Sequence, residues 1–275
     1  MSVKKPKIGG HVSAVGGLAA AVGRGLAIGA ECIQVFGSSP REWSVRMPAK
    51  KELAEMPVYL HAPYLVNLAS PDKILWQKSI QALGGHLKIA EMWGARGLIF
   101  HVGSGKETDK DVAIKKAAEA MKVVLKNTPG KTQLIIENTA GGGQKIGATV
   151  NEIATLMKLV KSPRVKVCID TAHAFEAGEL DYSENGIKNF FDECDEKIGI
   201  VNIVALHLND SKTLFNSHND RHENIGEGQI GLAGFKRLAK EKRLWDKDWL
   251  LEVPGFADDG PDARNVAMLK SLFTS

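Results

Sequence analysis

The sequence predicts an α/β protein, a single closed (β/α)8 barrel spanning residues 1–275. Three observations point there. Eight short apolar, β-rich runs alternate with helix-length segments from end to end, the pattern of parallel strands joined by crossover helices, and eight is the number that closes such a sheet. Polar residues of one chemical kind end those runs: His61, His101, Glu137, Asp170, His207 and Glu252. A closed barrel gathers its strand C-termini on one face, where an open sheet would spread them apart. Finally, the GxGxxG turn of a doubly wound dinucleotide fold is missing after the first run, and Gly23 and Gly25 lie inside a helical pattern instead.

In chain order, Ile8 to Val12 leads into a Gly-Gly-Leu-Ala-Ala-Ala-Val segment from Gly16, and Cys32 to Phe36 runs into a Gly-Ser-Ser-Pro loop. Val58 to His61 ends at Ala62-Pro63, and a helical pattern covers about Pro71 to Met92. Gly97 to His101 precedes a helix near Asp109 to Lys126, and Gln133 to Glu137 precedes one near Thr149 to Val160. Val165 to Ile169 ends at Asp170-Thr-Ala-His173, with a helix beginning near Ser183. Ile200 to Leu208 carries His207, and a helix follows near Leu232 to Glu241. Asp248 to Glu252 closes the set, before a last helix at about Ala263 to Phe273. Between His207 and that penultimate helix, Ser217 to Gly228 is too polar for a core strand and too rich in Gly and Asn for a long helix, so it reads as a loop. Within it Asp220 and His222 stand two apart, the spacing that puts two side chains on one side of an extended segment.

Lys and Arg number 36 against 32 Asp and Glu, a formal charge of +4 that permits an anionic partner without demanding one. There is no dedicated basic tail. Carboxylates that sit on metal ions would leave the field more positive than the count. Cys32, Cys168 and Cys194 are widely spaced, odd in number and without a CxxC pair, which reads as small packing groups in a reducing compartment. Met-Ser-Val-Lys-Lys-Pro-Lys at the start is basic but leads into no sustained apolar stretch, and no 18-residue apolar run exists elsewhere. The expectation is a soluble intracellular protein, cytoplasmic or nucleoid-associated, with no membrane contact.

The strand-end residues form one cluster with His173, Asp220 and His222. Burying four carboxylates from that cluster in a barrel mouth with five imidazoles is costly unless cations neutralise them. Mixed nitrogen and oxygen ligation suits zinc or manganese better than magnesium, and nine groups exceed what one ion takes. Two or three ions fit, with Glu137, central in strand order, the candidate bridge. His11 is expected to line the pocket as a donor, and His86 to pack within its helical pattern. His218 has no partner at a telling spacing. Asp210 is expected, beside Asn209, to support ligands by hydrogen bonds rather than bind metal.

These motifs together resemble the endonuclease IV family of apurinic/apyrimidinic endonucleases over nearly the whole length. They are Gly10-His-Val-Ser-Ala14 with Gly16-Gly17, His61-Ala-Pro-Tyr-Leu-Val-Asn-Leu-Ala69, Glu137-Asn-Thr-Ala-Gly141, Asp170-Thr-Ala-His173, His207-Leu-Asn-Asp-Ser-Lys212 and Asp220-Arg-His-Glu-Asn-Ile-Gly-Glu-Gly228. The resemblance implies a TIM barrel with three zinc ions per chain, manganese being acceptable at one or more positions. It also implies cleavage of duplex DNA 5′ to an abasic site, with trimming of blocked 3′ ends, by a monomer acting in base excision repair. One ion would lie among His61, His101 and Glu137, a second among Glu137, Asp170, His207 and Glu252, and a third with His173, Asp220 and His222. Glu137 and Glu252 would be the catalytic carboxylates, and Arg41, Tyr64 and Leu65 would contact DNA. A sugar isomerase or epimerase on the same barrel is the rival reading; it accounts for four of the nine groups and leaves the other five without a reason to converge.

Overall fold

The eight predicted runs pair as parallel strands of a closed barrel in the computed structural model, which describes residues 5–273. Its strands are β1 (Lys7–His11), β2 (Ile33–Phe36), β3 (Val58–His61), β4 (Gly97–His101), β5 (Gln133–Glu137), β6 (Val165–Asp170), β7 (Ile203–Leu208) and β10 (Asp248–Leu251). The hydrogen-bonded order is β1-β10-β7-β6-β5-β4-β3-β2, closed between β2 and β1. Outside the barrel, β8 (Asp210–Ser211) and β9 (His222–Glu223) pair antiparallel. Two local readings are refined. Ile200–Asn202 is a 3-10 turn ahead of β7, and the polar loop carries His222 on the short strand β9. The first four residues of the basic N-terminal stretch lie outside the described residues.

The helices are α1 (Leu18–Ala27), α2 (Lys73–Met92), α3 (Lys110–Asn127), α4 (Val150–Val160), α5 (Thr171–Glu176), α6 (Glu184–Lys197), α7 (Gly231–Leu238) and α8 (Ala263–Ser271). Their starts follow from side chains that accept the free N–H groups of a first turn. Asp72, Asp109, Ser183 and Asp262 each cap in this way. Thr149 does so for α4, and Glu152 reaches back to the N–H groups of Gly147 and Ala148. The crossover from β2 to β3 departs from the expected pattern and carries no helix. Pro40, Pro48 and Pro57 punctuate it, and it lies as a strap whose Trp43, Val45, Ala54 and Met56 pack on the core. A Cβ at Gly85 of α2 would come within 2.9 Å of Val45, so that glycine is the notch that lets the strap approach.

Alternation along each strand builds the barrel in layers. Cys32, Tyr59, Ile99, Ile135, Cys168, Ala205 and Leu250 form one buried inner cluster. Two residues further along each strand, the next inward positions are Gln34, His61, His101, Glu137, Asp170, His207 and Glu252, with His11 from β1. The site is therefore the top layer of the barrel interior. At the opposite end Asp248 is held by Arg96 and by the Tyr59 hydroxyl, 2.9 Å away.

All three cysteines are free and buried. Burial pushes the Cys32 thiol well up, that of Cys168 to about 11 and that of Cys194 to about 12. A thiol reagent is expected to label none of them in the native protein and all three once it is denatured, read as thiol equivalents per chain. Among the described residues no helix is long and apolar enough to cross a membrane.

Candidate metal centre

Strand register brings the strand-end residues together before any loop is considered. His101 on β4 stands opposite Glu137 on β5, and Asp170 on β6 opposite His207 on β7, neighbours at the ~4.8 Å spacing of a sheet. Asp170 also caps α5 by accepting from the His173 N–H, so the short helix after β6 sets His173 against the same centre. Asp220 arrives from the loop between β8 and β9, and His222 is the first residue of β9.

Glu137 sits at the middle, fully buried. Its two oxygens face different partners. Oε2 lies 2.9 Å from His61 Nε2 and 3.5 Å from His101 Nε2, whereas Oε1 lies 2.8 Å from His207 Nδ1 and 3.5 Å from His173 Nδ1. That division is what a carboxylate spanning two cations needs. Ligand atoms of His61, His101 and Glu137 lie within 4.8 Å of one another, as do those of Glu137, Asp170, His207 and Glu252, and those of Asp170, His173 and His222. Asp220 borders the last group: its Oδ1 is 3.3 Å from His173 Nε2 and 3.8 Å from His222 Nε2, on the side nearer solvent. All nine predicted residues converge on one centre, and Asp170 approaches the third group more closely than its sequence position suggests.

The residues fit metal ions by their own chemistry. His61 Nδ1 is 2.7 Å from the Ala62 carbonyl and His173 Nδ1 is 3.0 Å from that of Asn138, so both rings donate there and turn bare Nε2 atoms inward. His222 Nδ1 faces the Glu252 carbonyl at 3.4 Å, and its Nε2 meets His173 Nε2 at 3.4 Å. Two nitrogens this close share either one hydrogen or a cation in its place. The buried His101 Nδ1 has no hydrogen-bond partner.

The charges agree. Burial would lower the pKa of His61, His173 and His207, but the carboxylates beside them outweigh it and hold all three above the ordinary imidazole value. Burial would raise Glu137, Asp220 and Glu252, but the surrounding imidazoles keep them below the carboxylate range. His101, less compensated, is pulled by burial to about 4. Without ions the cluster thus retains protons on histidines that a metal must displace. Apparent zinc affinity is therefore expected to fall as pH is lowered from about 8 to about 6, with proton release on loading at the higher pH, measured by calorimetry in buffers of different ionisation enthalpy.

Other polar groups hold this arrangement. Asn209 Nδ2 donates to Asp170 Oδ2 at 2.7 Å and its Oδ1 accepts from the Glu252 N–H at 2.8 Å, while Asn138 brackets the Asp170 backbone. Asp210 is buried away from the centre and gathers the N–H groups of Gly226, Gly228, Ile230 and Gly231, fixing the loop below β9. Buried Glu176 at the end of α5 accepts from Ser211 Oγ and the Arg221 N–H, bracing the segment between Asp220 and His222. His11 reaches Glu252 Oε1 at 3.3 Å. His86 is buried and bonded to the Ala82 carbonyl, a packing residue. His218 lies 3.2 Å from the Ala140 carbonyl.

A cleft of about 1020 Å³ opens from this centre, bordered by the β1, β2 and β10 loops. Tyr64 stands at its edge, 65% exposed, its ring 5.4 Å from that of Phe36. Its backbone N–H donates to the Pro40 carbonyl, joining the loop of Tyr64 and Leu65 to that of Arg41. Arg41 is exposed and Leu65 half-buried.

Sequence and fold comparisons identify the family of the chain. Residues 24–272 match the family of xylose isomerase-like TIM barrels. A protein of Persephonella marina described as a probable endonuclease 4 is 36% identical, covering 97% of this chain and 96% of its own length. The chain belongs to the endonuclease IV family. A crystal structure of endonuclease IV from Thermus thermophilus superposes with a TM-score of 0.82 at 30% identity, over 97% of this chain and 98% of that one. A D-tagatose 3-epimerase-like protein also superposes, with a TM-score of 0.70 at 15% identity over 97% and 96%, a likeness of fold alone. The barrel is common ground between the endonuclease IV of Thermus thermophilus and the epimerase-like protein.

Proposed function

We propose that this protein is a zinc-dependent endonuclease that hydrolyses the phosphodiester 5′ to an abasic site in duplex DNA, leaving a 3′-hydroxyl and a 5′-deoxyribose phosphate, and that it also trims blocked 3′ ends. The carrying observation is Glu137, whose two oxygens face two separate imidazole sets inside a ring of nine ligand-type residues. Three zinc ions are the reading that uses every group, held by His61, His101 and Glu137; by Glu137, Asp170, His207 and Glu252; and by His173, Asp220 and His222, with manganese acceptable at one or more. Bound there, such ions lower the pKa of water and neutralise charge on a phosphate. Glu252, ionised and open to the cleft, accepts the proton of the attacking water. Glu137 keeps the two halves of the centre in register, and the Asn209 amide holds Asp170 against the backbone of Glu252.

The protein acts as a monomer on its duplex, and recognition rests on shape. A nucleotide without a base costs little to rotate out of the helix. Tyr64 at the cleft edge offers with Leu65 an aromatic and aliphatic wedge, and Arg41, on the loop tied to it through Pro40, an exposed planar cation. Tyr64→Ala is expected to weaken binding to abasic duplex while metal content and hydrolysis of a small activated phosphodiester stay as in the wild type. Loss of zinc together with small-substrate activity would show instead that Tyr64 props His61. Arg41→Ala should act in the same direction, with an effect that shrinks as salt rises.

The direct test is a duplex bearing one abasic analogue, incubated with the purified protein and its product ends mapped. A single cut 5′ to the analogue supports the reading. An uncut duplex beside turnover of a free ketose would favour the epimerase reading, which uses one or two divalent ions and accounts for Glu137, Asp170, His207 and Glu252, grouped within 4.8 Å of one another.

A further inference from the structure

We propose that Gln34 is a positioning residue that sets, through one side-chain amide, both the tautomer of His207 and the orientation of Glu252. The inference rests on the metal-centre reading above. Gln34 is a fully buried amide in an otherwise apolar strand, Ile33–Phe36, and completes the top layer of the barrel interior. Both of its amide hydrogens and its amide oxygen are engaged at the centre. Nε2 contacts Glu252 Oε1 at 2.5 Å and His11 Nδ1 at 2.9 Å, and Oε1 lies 2.8 Å from His207 Nε2.

The order of dependence follows from donor and acceptor chemistry. An ionised carboxylate only accepts, so the amide nitrogen must face Glu252. That turns the amide oxygen, which only accepts, toward His207, and Nε2 of His207 must then carry hydrogen. Its Nδ1 is left as the ligand atom, 2.8 Å from Glu137 Oε1 and 3.2 Å from Glu252 Oε2. The same contact takes up Glu252 Oε1 and leaves Oε2 turned toward the centre. The second amide hydrogen points at His11 Nδ1, so His11 carries its own hydrogen on Nε2. His61 and His173 obtain their tautomers from backbone carbonyls, whereas His207 depends on a side chain from another strand. Gln34 can therefore be removed without touching the backbone.

The test reads the tautomer directly. Long-range proton–nitrogen NMR spectra of the zinc-loaded wild-type protein are expected to show His207 protonated at Nε2 and metal-bound through Nδ1. Gln34→Leu, close in volume, is expected to lose that signature and to surrender one of its zinc ions to a competing chelator about 10–100-fold more readily, the usual range for removing a group that orients a ligand. Its circular dichroism should match the wild type. Zinc bound through Nε2 of His207 in the wild type would overturn the assignment even if the variant fails to fold. So would a folded Gln34→Leu with unchanged tautomer and zinc retention. A wild-type protein with the expected tautomer that leaves abasic duplex uncut would overturn the nuclease reading while supporting the role of Gln34.

Discussion

Glu252→Gln is expected to lower turnover on abasic duplex by about 10²–10⁴-fold while leaving duplex affinity unchanged. The substitution keeps the shape of the side chain and its contact to the cleft but removes the charge that accepts a proton. Glu252 suits that task by position. Its backbone is tied by Asn209, its Oε1 is engaged by Gln34, and its side chain remains 16% exposed where the cleft begins. Single-turnover rates, duplex binding and zinc content measured on one preparation separate proton transfer from ligation. Wild-type turnover with full zinc content would remove Glu252 from the chemistry. Reduced turnover that recovers fully with added zinc would make it a ligand only.

Glu137→Gln should have the wider effect, because that carboxylate touches more of the centre than any other. Its charge offsets His61, His101, His173 and His207 at once. A neutral amide presents N–H to one imidazole set and cannot span two cations. The expectation is loss of zinc from both ions that Glu137 joins, and a fall in turnover of about 10³-fold or more, of the order attached to metal stabilisation of a transition state. Elemental analysis after gel filtration gives the first readout and abasic cleavage the second. Retention of all the zinc carried by the wild type would show that no bridge runs through Glu137.

The fold was legible because strand and site share one periodicity. At or near its C-terminal end, each barrel strand places a polar residue two positions after an inward residue of the layer below, as in Ile99 and His101, Ile135 and Glu137, or Cys168 and Asp170. Burial of one and chemistry of the other are readable from spacing. Gln34 obeys the same rule, two after Cys32, yet its part in that layer is concealed: an amide is neither a general ligand nor a base, so residue type hides what position announces. The strap from β2 to β3 is hidden for a different reason. Its length matches a helical crossover, and only the packing of Val45 into the notch at Gly85 reveals what replaces the helix. The tautomers of His61 and His173 could not be read from sequence at all, since they are set by carbonyls of Ala62 and Asn138 whose direction depends on loop geometry. Asp170 shows the same limit. As the last residue of β6 it is in plain view, yet its reach toward His222, 3.6 Å away, depends on how the loop after β8 folds back.

The central claim is that nine side chains work as one multinuclear centre on DNA. Titration of the metal-free protein with zinc, with cleavage of an abasic duplex followed at each step, tests it most directly. Activity that rises only as the third equivalent is bound is the predicted result. Full activity at one equivalent, with further zinc taken up without effect, would contradict it.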